Sequence, residues 1–109
     1  MQRFKRYIGK DLVIEHLKTS EHLKTCGFTC SYAPDSFGDF EEMEFSCDLN
    51  DKKIILCVAV LEGKIKRIMF VQTPVDNPDA VGPLSEIQLK ELLDKKYDPL
   101  SSFFDFITR

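Results

Sequence analysis

Residues 40–72 read FEEMEFSCDLNDKKIILCVAVLEGKIKRIMFVQ, and their patterning decides the architecture. Met43, Phe45, Cys47 and Leu49 alternate with Glu42, Glu44, Ser46 and Asp48. A period of two sends the first set to one face of a strand and the second set to the other. Asn50-Asp51 follows, a pair that tolerates the positive φ of a tight hairpin turn. The run from Lys53 to Leu61 is apolar and rich in β-branched residues. It is too short to span a bilayer and too apolar for a half-wetted strand, so it is expected to be a central strand buried on both faces. Glu62-Gly63 turns the chain again, and Ile65 to Val71 supplies a third strand. The product is a β-meander that the rest of the chain must cover.

Working outward, Met1 to Lys24 is expected to be helical. Phe4, Tyr7 and Ile8 fall on one helical face, and Leu12, Val13 and Leu17 continue the apolar spacing. Gly9 ends a first short helix or bends a longer one. Cys26, Phe28, Cys30 and Tyr32 alternate with smaller residues and predict a strand ahead of the meander, closed by the loop Pro34–Gly38, where Phe37 is either a lid on the core, the expected role, or an exposed anchor. Beyond the meander, Pro74, Pro78, Gly82 and Pro83 mark a semi-extended crossing segment. Ser85 with Gln88 three residues on is a capping-box signature, and Leu89, Leu92 and Leu93 form a helix stripe to about Lys96. Asp98-Pro99 then predicts a second helix start, carrying the stripe Leu100, Phe103, Phe104 and Ile107. The expected fold is α+β: an N-terminal helix, a four-stranded antiparallel β-meander, and two C-terminal helices packed on one sheet face, all in the single domain 1–109.

Composition narrows the function classes. In 109 residues there is room for one core, and a net charge of −3 does not suggest a general nucleic-acid-binding surface. Thr25 through Asp51 contains seven acids and no Lys or Arg, whereas the first six residues hold Arg3, Lys5 and Arg6. Such a division is a solvated surface or a docking face for a basic partner. Neither a secretory h-region nor a bilayer-length apolar run occurs. The four cysteines are therefore expected to be free thiols in a reducing compartment, the cytoplasm or nucleus.

Catalytic and ligand constellations are weak. His16, His22, Cys26 and Cys30 have zinc-ligand chemistry but lack a Cys-x-x-Cys knuckle. Cys30 with His16 or His22 lacks a nucleophile turn. Glu42 and Glu44 share an open polar strand face, a setting that does not suit acid–base work. Lys52, Lys53, Lys64, Lys66 and Arg67 are expected to solvate and protect sheet edges rather than bind phosphates. No cofactor, metal, nucleic acid, membrane or small-molecule partner is expected. Phe106 lies about 100° away from the Phe103–Ile107 stripe. That spacing leaves a second apolar side on the last helix. Phe4, Tyr97, Phe103 and Phe106 are the expected partner-binding residues.

The meander Phe40–Gln72, the crossing Thr73–Pro83 and the ending Pro99–Ile107 together resemble an RWD-type domain. Such domains form the compact heads of coiled-coil kinetochore proteins, including monopolin-type subunits. The chain lacks their Tyr-Pro-x-x-x-Pro turn and has Pro74 and Pro78 four apart. Their long preceding coiled coil has only Met1–Lys24 as a counterpart here. The resemblance implies a non-enzymatic scaffold module that binds another protein or a second copy of itself. The stretch Leu61–Ile68 is similar to the Gly-Lys-Ile hairpin of nuclear-transport-factor-2-like proteins, which implies the alternative of a pocketed domain that binds or converts a small ligand. An acidic secretion-chaperone-like α+β dimer is a third possibility.

Overall fold

The computed structural model describes residues 2–19, 24, 27–34, 38–49, 51–77 and 79–109. Five antiparallel strands lie side by side in chain order: β1 (Thr29–Tyr32), β2 (Phe40–Leu49), β3 (Lys52–Leu61), β4 (Lys64–Pro74) and β5 (Gly82–Pro83). The three long strands are those expected from residues 40–72. Met43 pairs with Val58, Phe45 with Leu56 and Cys47 with Ile54, so the alternating apolar set of β2 shares a face with alternate residues of β3. Ile68 and Phe70 of β4 continue that face. At the β3–β4 turn Glu62 and Gly63 both have positive φ, 53° and 79°, as a type I′ hairpin requires.

The sheet has five strands, not four. Gly82–Pro83 pairs with Val71 and Gln72, ending the crossing segment on the β4 edge. The Gln72 side chain secures it by donating to the Pro83 carbonyl at 3.1 Å. β1 is shorter than its alternation suggested and exposed along its length, and Phe28, just before it, enters the core. Asn50, Phe37, His22 and Cys26, each assigned a place above, lie outside the described residues.

The N-terminal stretch is not a single helix. Residues Gln2–Tyr7 form a 3-10 helix, Gly9 turns with φ 88°, and a short α1 (Ile14–Thr19) follows. Between them the backbone joins the sheet: Gly9 donates to Ile65 and Leu12 to Gly63, with Asp11 bridging to Lys64. Those hydrogen bonds satisfy the end of β4 better than a continued helix would.

The two expected C-terminal helices are one. Helix α2 (Glu86–Ile107) runs 22 residues, with Pro99 inside it. Leu89, Leu93, Tyr97, Leu100, Phe104 and Ile107 keep one apolar stripe across the proline. Burying that stripe outweighs the backbone hydrogen bond that Pro99 cannot make. The N-terminus carries the capping box: Gln88 N–H donates to Ser85 Oγ at 3.2 Å, and Ser85 N–H to Gln88 Oε1 at 3.0 Å. The core lies between the inner sheet face and α2, sealed by the 3-10 helix. Phe45 meets Phe103 edge-on at 5.4 Å, and Phe4 packs on Phe70, Tyr97 and Phe104. The helices thus share one side of an α+β two-layer domain.

Candidate protein-interaction surface

The described helices leave the opposite sheet face uncovered. Register places its residues in rows that cross β2, β3 and β4: Glu42–Ala59–Arg67, Glu44–Cys57–Met69, Ser46–Ile55–Val71 and Asp48–Lys53–Thr73. The middle of this outer face is apolar, formed by Ile55, Cys57, Ala59, Met69 and Val71. Its β2 side is acidic, and Arg67 stands on its β4 side. Cys57 and Ala59 are nearly closed off, at 7% and 2% exposure. They are small side chains on a central strand between long neighbours, so burial on both faces holds for the middle of β3 only, with Ile55 half-buried and Lys53 and Leu61 exposed on this face. Tyr32, Phe40 and Leu61 are exposed around the same face.

Glu42, Glu44 and Cys57 bring donor atoms within 4.8 Å of one another. Glu44 lies directly opposite Cys57 in register, so this grouping was present in the alternation and was missed for want of the pairing. Burial above all, then the charge of Glu42 and a hydrogen bond to it, then Glu44, pushes the Cys57 thiol up to about 12 against a smaller pull from Arg67. A thiol held in that form is a poor nucleophile and a poor metal ligand, because both roles need the thiolate. The arrangement keeps Cys57 protonated beneath two carboxylates.

The four residues expected at a partner surface separate in the structure. Phe4 and Phe103 are at 0% exposure inside the core, so neither presents a surface. Tyr97 and Phe106 are half-buried and pack against the core cluster. Phe106 meets the His16 ring at 4.7 Å and lies beneath the Arg109 guanidinium at 5.1 Å. His16 Nδ1 donates to the Phe106 carbonyl at 2.9 Å, tying α1 to α2. The second apolar side of α2 is therefore covered largely by the chain itself. That cover also removes His16 from the zinc set of the sequence, in which Cys30 stands exposed on the edge strand.

Beside β1 is a cleft of about 470 Å³, with Leu17, Phe28, Phe45 and Phe103 in its walls and Lys18 and Lys24 among its lining residues. Cys30, Cys47 and Cys57 are free thiols. No described helix is long and apolar enough to cross a membrane. Comparison of the chain with protein-family models, with curated proteins and with solved structures finds no match.

Proposed function

We propose that the domain is a non-enzymatic protein-interaction module of the cytoplasm or nucleus, and that the outer sheet face is its contact surface. One observation carries the reading: an apolar strip of Ile55, Met69 and Val71, flanked by charge, on a face that no described helix covers. Interfaces of this kind have an apolar centre and a polar rim. The protonated Cys57 thiol supports a binding rather than a catalytic role for that face. A setting in a coiled-coil assembly, such as a kinetochore subunit's head, is the corresponding proposal for the whole protein and rests on element order. The test is cross-linking and co-purification with wild type and Met69→Lys, with circular dichroism to verify folding. A stoichiometric protein complex lost in the folded Met69→Lys chain is expected. A wild type that forms no complex with itself or another protein, or complexes indifferent to Met69→Lys, would overturn the reading.

A second reading draws on the cleft beside β1. Its volume is in the range that encloses a small ligand, and Leu17, Ala33 and Pro34 line it above buried aromatic rings, with lysines nearby. Those features suit an apolar carboxylate. Saturable binding of a medium-chain fatty acid, abolished by Leu17→Trp, would favour it over the interaction module.

A further inference from the structure

The geometry points to a second copy of this chain as the occupant of the outer sheet face, related by a two-fold axis that runs parallel to β3. The inference rests on the interaction-module reading and adds the partner and the arrangement. Closed dimers use one self-complementary patch on both subunits. Two sheets stacked with their strands nearly aligned, about 10 Å apart, allow two such arrangements. With the axis across the strands, β2 lies over the partner's β2, and Glu42, Glu44 and Asp48 confront a second set of the same acids. With the axis along β3, β2 lies over the partner's β4, and each register row meets itself reversed. Glu42 then faces the partner's Arg67, and Arg67 faces the partner's Glu42, because the two occupy one row on either side of Ala59. Ile55 meets its own counterpart on the axis, while Cys57 and Ala59 lie recessed beneath their longer neighbours; Ser46 lies over the partner's Val71 and Glu44 over the partner's Met69. Charge complementarity selects this second arrangement.

Glu42 and Arg67 form no ion pair with each other within the chain, although they flank the same residue. The one like-charge meeting on the axis is Lys53 with its counterpart. Lys53 is exposed and directly opposite Asp48 in register, so an acid stands beside it in each copy. The rows span three long strands by about eight residues, roughly 400 Å² in projection at the usual strand spacing and rise. Even with side-chain relief that stays below the ~800 Å² per partner of an ordinary interface, in the range of weak, reversible contacts. The dimer is accordingly expected to be modest, with a dissociation constant in the micromolar range.

Charge exchange tests the arrangement in the full chain. Sedimentation equilibrium is measured for wild type, Glu42→Arg, Arg67→Glu, the double variant, and an equimolar mixture of the two single variants. Each single change places like charges opposite one another twice in its own dimer, so self-association should weaken at least tenfold. In the mixture both pairs are complementary again, and so are they in the double variant, so both should associate as wild type does. Both positions are on the solvent side of the sheet, and circular dichroism checks that folding is kept. A wild type that stays monomeric up to ~100 μM, or a dimer that the single changes leave intact, would overturn the inference. So would single variants that the mixture fails to rescue. In each of these cases the interaction module stands or falls separately, on whether the Met69→Lys change removes a complex with another protein.

Discussion

The Tyr7 hydroxyl donates to the Asp105 carboxylate at 2.7 Å, joining residues 98 apart in the chain. The Arg6 guanidinium donates to the same hydroxyl at 2.7 Å and to Ser101 Oγ at 2.6 Å. The buried ring of Tyr7 thus places its one polar atom at the rim, where three partners hold it. Tyr7→Phe keeps the ring and removes the hydroxyl. Asp105 is exposed and regains water, so the expected loss is about 1 kcal/mol, read as a lower urea midpoint at unchanged slope.

The same residue gives a pH dependence. Burial, aided by the hydrogen bond and charge of Asp105 and opposed by Ser101 and Arg6, raises the Tyr7 hydroxyl above its ordinary 10.0. A group raised in the folded state contributes stability that is complete below the unfolded value and lost as pH climbs through the folded one. The wild-type melting temperature should therefore fall above pH 10 more steeply than that of Tyr7→Phe.

Pro99 is a helix-interior residue without an amide donor, so the turn around it lacks one backbone hydrogen bond. Pro99→Ala restores the donor and a better helix former at a half-buried position. A gain of about 1 kcal/mol or more is expected, seen as a higher melting temperature. An unchanged or lower value would show that the proline ring itself is needed for the fit of Leu100 and Phe103 to the sheet.

The thiols should react in order of access. Cys30, exposed on β1, is expected to be labelled first by pulsed alkylation at pH 8, although burial raises its thiol somewhat. Cys47 and Cys57, at 8% and 7% exposure, should react far more slowly. Glu42→Gln removes an anion beside Cys57, so its thiol should move down from about 12 and its labelling at pH 9 should speed up. The sign for stability is that of Tyr7: the share due to Cys57 is intact below 9.0 and fades as pH approaches the raised value. Mass spectrometry of the labelled peptides reads all three sites.

The meander was legible because each strand had its own period and each turn its own chemistry, as Glu62-Gly63 shows. The inner face followed directly from Met43, Phe45 and Cys47. Elements without a periodic signature were less legible. Two residues, Gly82 and Pro83, cannot display a period, and only their pairing to Val71 and Gln72 makes them a strand. At Pro99 two signals conflicted. The local one announced a helix start, while the stripe from Leu89 to Ile107 ran through without a break, and the longer-range signal prevailed. The aromatic residues were sorted by helical angle, which separated Phe106 from Phe103 correctly. It could not show that His16 and Arg109 would cover Phe106. The outer face needed register as well as alternation, since Glu42, Ala59 and Arg67 become one row only when β2, β3 and β4 are aligned.

Every strand of this sheet pairs with its nearest neighbour in sequence, whereas the layer that covers it comes from both flanks of the chain. During synthesis the hairpins can therefore close as they emerge from the ribosome, one after another. Helix α2 is translated after all of them. Until it arrives, Phe45, Leu56 and Val58 lack the helix that covers them, and the N-terminal Phe4 and Tyr7 have no helix to seal. The nascent chain carries an open, sticky sheet through that interval. It is a natural client for a chaperone that recognises apolar strands, and slowing translation over residues 84–107 should lengthen its stay there.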